Sequence, residues 1–253
     1  FLEAGVGVLC EKPLTINTST ARELLAVADA NGAVLTMASK FRYVADVIEA
    51  KARIDRGDVG EVVLVENAFT SRVDMRDRWN SDPDVAGGGV LIDNGTHSVD
   101  LVRFLLGPIA EVMAVDIKRV QHLAVEDTAR MVLRSEAGVM AAIDLSWSID
   151  KSSDDFLTVY GSEGELRVGW RRSEARHLGG AWERFGDGYD KIVAMRGAVR
   201  DFLDALQGTG TRCTTPLDAL ASVRLTGFVQ TAVALPEGRS ASTCWISCTC
   251  RAL

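Results

Sequence analysis

Residues 6–10 (Val-Gly-Val-Leu-Cys) form a short apolar run that breaks abruptly into Glu11-Lys12-Pro13, the pattern of a buried parallel strand ending at a charged edge. Leu24, Leu25 and Val27-Ala28 recur at helical spacing and predict a helix to about Ala30. Thr18, Ser19 and Thr20 are its N-cap candidates, and Asn31-Gly32 ends it. Residues 33–38 (Ala-Val-Leu-Thr-Met-Ala) read as a second strand. Residues 1–40 are therefore strand–helix–strand, the unit of a parallel doubly wound sheet, in which ligands gather at the carboxyl ends of the strands.

The pattern changes after residue 40. Residues 44–57 are expected to be helical and residues 61–71 to be β, followed by a polar, irregular stretch over 72–89 with Pro83 and the triple Gly87-Gly88-Gly89. A helix then runs through Leu106 and stops at Gly107-Pro108. Strands are expected at 110–119, 127–134, 139–148, 155–161 and 164–169, joined by short turns at Gly138, Gly161 and Gly164 as antiparallel hairpins. Helices at 191–207 and 217–234 close the domain. The fold class is thus a partial Rossmann-type α/β unit followed by an α+β domain with an open, mainly antiparallel sheet. An open sheet face needs a covering partner, so a homodimer or homotetramer is expected.

Composition narrows the function classes. The 253 residues are 47% hydrophobic and 25% charged, an ordinary globular balance rather than a disordered one. A net charge of −7 argues against nucleic acid and anionic membrane surfaces as partners. No apolar run reaches the ~18 residues of a membrane span. Five cysteines, unevenly spread, do not make a disulfide framework, so the cytoplasm is the expected compartment.

The chemistry concentrates in two places. In the stretch 87–100, Asp93 and His97 stand four residues apart, so on a helix they share one face. A carboxylate beside an imidazole can orient it as a general base, although a helix cap and a packed histidine would leave the same pattern. Lys12, at a parallel strand's carboxyl end, can hydrogen-bond a substrate hydroxyl and stabilise alkoxide charge, although a solvated turn lysine is the commoner occupant of such a position. His122 and His177 are isolated and read as exposed. Trp147 and Trp170 read as sheet packing, and Arg167–Arg172 as a solvated sheet end.

In this order, Glu11-Lys12-Pro13 and Gly-Gly-Gly-x-Leu-x-Asp-x-Gly-x-His-x-x-Asp, with Phe41-Arg42-Tyr43 and the Gly57–Glu61 turn, resemble the glucose-fructose oxidoreductase/inositol dehydrogenase/MocA (Gfo/Idh/MocA) family from residue 1 to about 238. The resemblance implies an NAD- or NADP-dependent oxidoreductase that moves hydride between a sugar, cyclitol or related polyol and nicotinamide. It implies His97 as proton acceptor, Asp93 as its orienting carboxylate, and Lys12 at the reacting oxygen and the nicotinamide. Glu11 and Pro13 would shape the Lys12 turn, with a candidate cis Lys12–Pro13 bond, and Arg42 and Tyr43 would sit near the nicotinamide. Arg78, Trp79, Asn80 and Asn94 would line the substrate pocket.

The resemblance divides the chain into residues 1–40, the remnant of a dinucleotide-binding domain; 41–238, a substrate-binding and oligomerisation domain; and 239–253, an atypical tail. The opening Phe1-Leu2-Glu3 reads as a helix entered midway, so an N-terminally truncated chain is expected. The Gly-x-Gly-x-x-Gly turn that cradles a pyrophosphate is not among these residues. Cys244, Cys248 and Cys250 lack a fourth ligand for zinc, so no metal is expected. Two alternatives stand beside the dehydrogenase: a nicotinamide-assisted glycosidase of the same family, and a non-catalytic oligomerisation or binding domain.

Overall fold

The computed structural model describes residues 1–116, 118–209, 213–233 and 246–247. After a 3₁₀ turn (Leu2–Ala4) come strand β1 (Val8–Cys10), helix α1 (Thr18–Ala30) and strand β2 (Leu35–Met37), and β1 pairs with β2 in parallel. Asn17, rather than Thr18, Ser19 or Thr20, caps α1. Its side-chain oxygen accepts the Thr20 N–H at 2.9 Å, which the neighbouring hydroxyls are one to three positions too late to do.

A 3₁₀ turn (Lys40–Tyr43) leads into α2 (Ala45–Arg56) and β3 (Val62–Thr70). The stretch expected to be irregular holds a 3₁₀ turn (Trp79–Ser81) and a short helix α3 (Pro83–Ala86), capped by the Asp82 carboxylate. Then follow α4 (Val90–Leu106), β4 (Ile109–Asp116), β5 (Thr128–Ser135), β6 (Met140–Ser146), β7 (Asp155–Gly161), β8 (Gly164–Gly169), β9 (Ser173–His177), β10 (Glu183–Gly186), α5 (Lys191–Leu206), α6 (Pro216–Val233) and the two-residue strand β11 (Ile246–Ser247). The cysteines Cys244, Cys248 and Cys250 lie outside the described residues.

The large sheet runs in the order β10-β9-β8-β7-β3-β6-β5-β4-β11. It is antiparallel except that β3 lies between β6 and β7 and pairs with β6 in parallel, from Leu64↔Met140 to Thr70↔Ser146. The hairpin reading missed this insertion because local turn signals carry no information about a strand that arrives from 70 residues earlier. It also missed β9 and β10, whose Arg and Glu positions mask the alternation of buried Ser173 and Ala175 with charged neighbours. Trp147 and Trp170 each fall one residue beyond a strand end.

Burial along the strands has a period of two. Val65, Asn67 and Phe69 of β3 and Ala141, Ile143 and Leu145 of β6 face inward, beneath α4, while α2 packs over β8 and β10. Their outward neighbours Leu64, Glu66, Met140, Ala142 and Asp144 face away from the helices. A second apolar cluster joins Leu2, Leu14, Ala21, Leu35 and Met37 to Ala219 and Val223, so α6 packs onto the β1–α1–β2 unit.

Candidate active site

Two elements separated by 81 residues meet at the site. Lys12 follows β1 after Glu11, and its bond to Pro13 is cis. Its ammonium donates to the Asp93 main-chain carbonyl at 2.9 Å and pairs with the Asp93 carboxylate. Asp93 and His97 occupy successive turns of α4. The start of that helix is set by Glu126, one carboxylate oxygen of which accepts the Gly89 and Leu91 N–H groups at 3.0 Å each, while its carbonyl accepts Val90 N–H at 2.9 Å. These would otherwise be orphaned helix-end donors. Gly89 permits the approach, since a Cβ there would lie 2.0 Å from the Glu126 carbonyl oxygen. The glycines before α4 thus admit protein backbone and, at Gly87, the Ile16 side chain.

The expected Asp93–His97 hydrogen bond is not formed. The spacing is met, but the Asp93 carboxylate turns to the Lys12 ammonium, a charged partner that a neutral imidazole does not outcompete. His97 makes no hydrogen bond with a described residue, and its ring meets Phe41 edge to face at 5.1 Å. Burial, then the nearby Lys12 and Lys40 cations, hold its pKa well below the ordinary value of 6.5. His97 is therefore a neutral imidazole at pH 7, able to accept a proton, beside an ammonium able to hold an oxygen.

Arg42 and Tyr43 do not face this cleft, contrary to the cofactor role expected of them. Arg42 is 3% exposed and bidentate to buried Asp100 of α4 at 2.8 Å for each bond, with a further bond to the Cys213 carbonyl at 2.7 Å. The Tyr43 hydroxyl donates to Asp201 at 2.8 Å and lies 3.2 Å from the Thr214 hydroxyl. Their polar groups are satisfied inside the protein. What they achieve is positional, because the Arg42–Asp100 pair clamps the 40–43 turn to α4 and so holds Phe41 against His97.

The remaining expected residues scatter. Glu11 is exposed, and its carboxylate accepts the Lys12 main-chain N–H at 3.3 Å, while Pro13 is half-buried in the same turn. Asn94 donates to the Phe69 carbonyl at 3.3 Å, tying α4 to β3. Arg78 and Trp79 are exposed, Trp79 by 61%, and neither they nor Asn80 bond to Lys12, Asp93 or His97.

Three side chains at or behind the site escaped the sequence. Lys40 lies over the Phe41 ring at 5.3 Å and the Tyr189 ring at 6.0 Å. Tyr189 stacks on Phe41 at 5.1 Å and meets Trp170 edge-on at 5.6 Å. Glu126 is buried beneath the start of α4. Lys40 was findable, because it follows β2 at the same carboxyl edge where Lys12 follows β1.

Residues 47–167 match the family model of the GFO/IDH/MocA C-terminal domain. The chain is 30% identical over 173 residues to D-apiose dehydrogenase of Paraburkholderia graminis, covering 66% of this chain and 45% of that one. It is 28% identical over 172 residues to D-xylose 1-dehydrogenase [NADP(+)] of Haloarcula marismortui, covering 66% and 48%. It thus spans about half the length of the curated relatives it matches. The fold is that of an inositol dehydrogenase homolog complexed with NAD+ from Azotobacter vinelandii, with a TM-score of 0.81, 21% identity, and coverage of 97% of this chain and 73% of that one. Residues 47–167 thus match the C-terminal domain of the Gfo/Idh/MocA family, on the fold shared with that homolog.

Proposed function

We propose that the protein is an NAD- or NADP-dependent oxidoreductase acting on a hydroxyl of a sugar, cyclitol or related polyol. The observation that carries this reading is the convergence of Lys12 from a parallel-strand edge with Asp93 and His97 from α4. The relatives' names, apiose and xylose dehydrogenases, support the substrate class. The residues present suit the nicotinamide end of a dinucleotide: a cation at the carboxyl edge of β1 and an imidazole kept neutral beside it. When bound, the nicotinamide supplies the hydride acceptor.

The chain's own residues supply the proton chemistry. His97 takes the hydroxyl proton, since its neutral form is maintained by burial and by neighbouring cations. Lys12 donates to the same oxygen as negative charge develops. Asp93 acts on Lys12 rather than on His97, fixing the ammonium through its carboxylate and its main-chain carbonyl. The test is incubation with sugars, cyclitols and polyols and each oxidised nicotinamide. Stoichiometric nicotinamide reduction supports the dehydrogenase, whereas sugar release from a glycoside without net reduction supports the glycosidase instead.

The same reading includes self-association through the outward sheet face. Leu64, Met140 and Ala142 present apolar surface there beside the paired Arg130–Asp144 and Arg134–Glu111 side chains. Light scattering coupled to gel filtration distinguishes a dimer or tetramer from a monomer.

A further inference from the structure

Lys40, beside the site, is a cation without a counter-ion among the described residues. Among the described residues it makes neither a hydrogen bond nor an ion pair, and it is half-buried against the Phe41 and Tyr189 rings. The charged groups around it are Lys12, Lys191, Glu11 and Asp93. Asp93 is committed to Lys12, and Glu11 is exposed with its carboxylate on its own turn. Lys191, at the first turn of α5, has no ion pair among the described residues either. The uncompensated charge at this point is therefore positive. Burial, then Lys191 and Lys12, push the Lys40 ammonium below its usual range, as expected where an anion is missing. The Tyr189 hydroxyl, on the ring that Lys40 covers, is buried and has no partner among the described residues. An ammonium over the Tyr189 ring and an unpartnered hydroxyl at that ring's edge are two donors for a carboxylate, whose two oxygens accept several hydrogen bonds.

Building on the dehydrogenase reading above, we propose that the substrate is an acidic sugar, a uronate or aldonate, whose carboxylate is received by Lys40 with the Tyr189 hydroxyl. Phe41 fixes where that carboxylate lies relative to the chemistry. One ring contacts both the Lys40 ammonium, at 5.3 Å, and the His97 imidazole, at 5.1 Å. Lys40 is also near enough to His97 to act on its charge, so a group bound at Lys40 lies on the proton acceptor's side of Phe41. The dinucleotide's phosphates are the other anion that could reach a lysine, and the test separates the two.

The experiment is calorimetric titration of the protein, Lys40→Met and Lys40→Arg with D-glucuronate, D-gluconate, D-glucose and myo-inositol, and separately with NADH. The expected result is that an acid binds about tenfold or more tightly than the neutral compounds. Lys40→Met removes that preference, and Lys40→Arg retains most of it. Acids and neutral compounds that cannot be told apart, or a preference that survives Lys40→Met, would overturn the proposal. So would a Lys40→Met variant that loses NADH affinity but keeps its acid preference, because the ammonium would then serve the dinucleotide. Turnover measured alongside separates the two readings. Nicotinamide reduction with neutral polyols alone leaves a dehydrogenase and removes the acid site, while Lys40-dependent acid binding without any reduction keeps the acid site and removes the dehydrogenase.

Discussion

Arg42→Leu tests whether the buried clamp positions the site. Arg42 and Asp100 are 3% and 2% exposed and share two bonds of 2.8 Å, so the substitution leaves a carboxylate in the interior with no cation of its own. Breaking one side of a buried pair costs about 3–5 kcal/mol, a large part of the ~5–15 kcal/mol that holds a domain folded. The pH dependence gives a second signature. Burial pushes the Asp100 carboxyl upward and Arg42 pulls it back. Without Arg42 the folded-state pKa rises further above the unfolded value of about 3.9, so the folded state binds the proton more readily. The stability deficit should therefore shrink as pH falls from neutrality towards about 4. The assay is urea unfolding at several pH values for the parent, Arg42→Leu, Asp100→Leu and Arg42→Leu/Asp100→Leu. The double variant should be more stable than the single one, since no orphan charge remains. A single-variant loss below about 1 kcal/mol, or a double variant whose loss is the sum of the two singles, would refute the clamp.

Other consequences are checked in the same way. Glu126→Gln exchanges a charged acceptor for a neutral one at the start of α4 and should cost about 1–2 kcal/mol in denaturant unfolding. Gly89→Ala places a methyl 2.0 Å from the Glu126 carbonyl and should cost about 1–3 kcal/mol or more, with proteolysis reporting a loosened loop before α4. His97, with its folded-state pKa lowered, contributes stability that is present above about pH 6.5 and lost as pH falls below it, because the unfolded chain takes the proton first. His97→Ala should flatten that slope, and a variant with the parent's slope would contradict the buried neutral imidazole.

Much of this architecture is legible in residues 1–40 and in the motif before Leu106, where apolar periodicity and abrupt Gly and Pro punctuation coincide with the element boundaries. The pairing of β3 with β6 is not legible, since it depends on which edge a distant strand finds. The site divides in the same way. Lys12, Asp93 and His97 could be marked from spacing and strand edges, but spacing cannot say which partner Asp93 takes, because that competition is decided by a cation 81 residues away. Arg42 and Tyr43 lie beside the site in sequence and behind it in space. Lys40 and Tyr189 carry no motif of their own, and only the packing around Phe41 brings them together.

The central claim is that His97 moves the hydroxyl proton in a nicotinamide-dependent oxidation. The most direct test compares turnover of the protein and of His97→Ala across acidic and neutral polyols with each oxidised nicotinamide, after thermal unfolding has shown both to be folded. The account predicts nicotinamide reduction by the parent and a loss of about a hundredfold or more in kcat for the variant. Equal turnover in the two proteins, or no nicotinamide reduction by either, would contradict it.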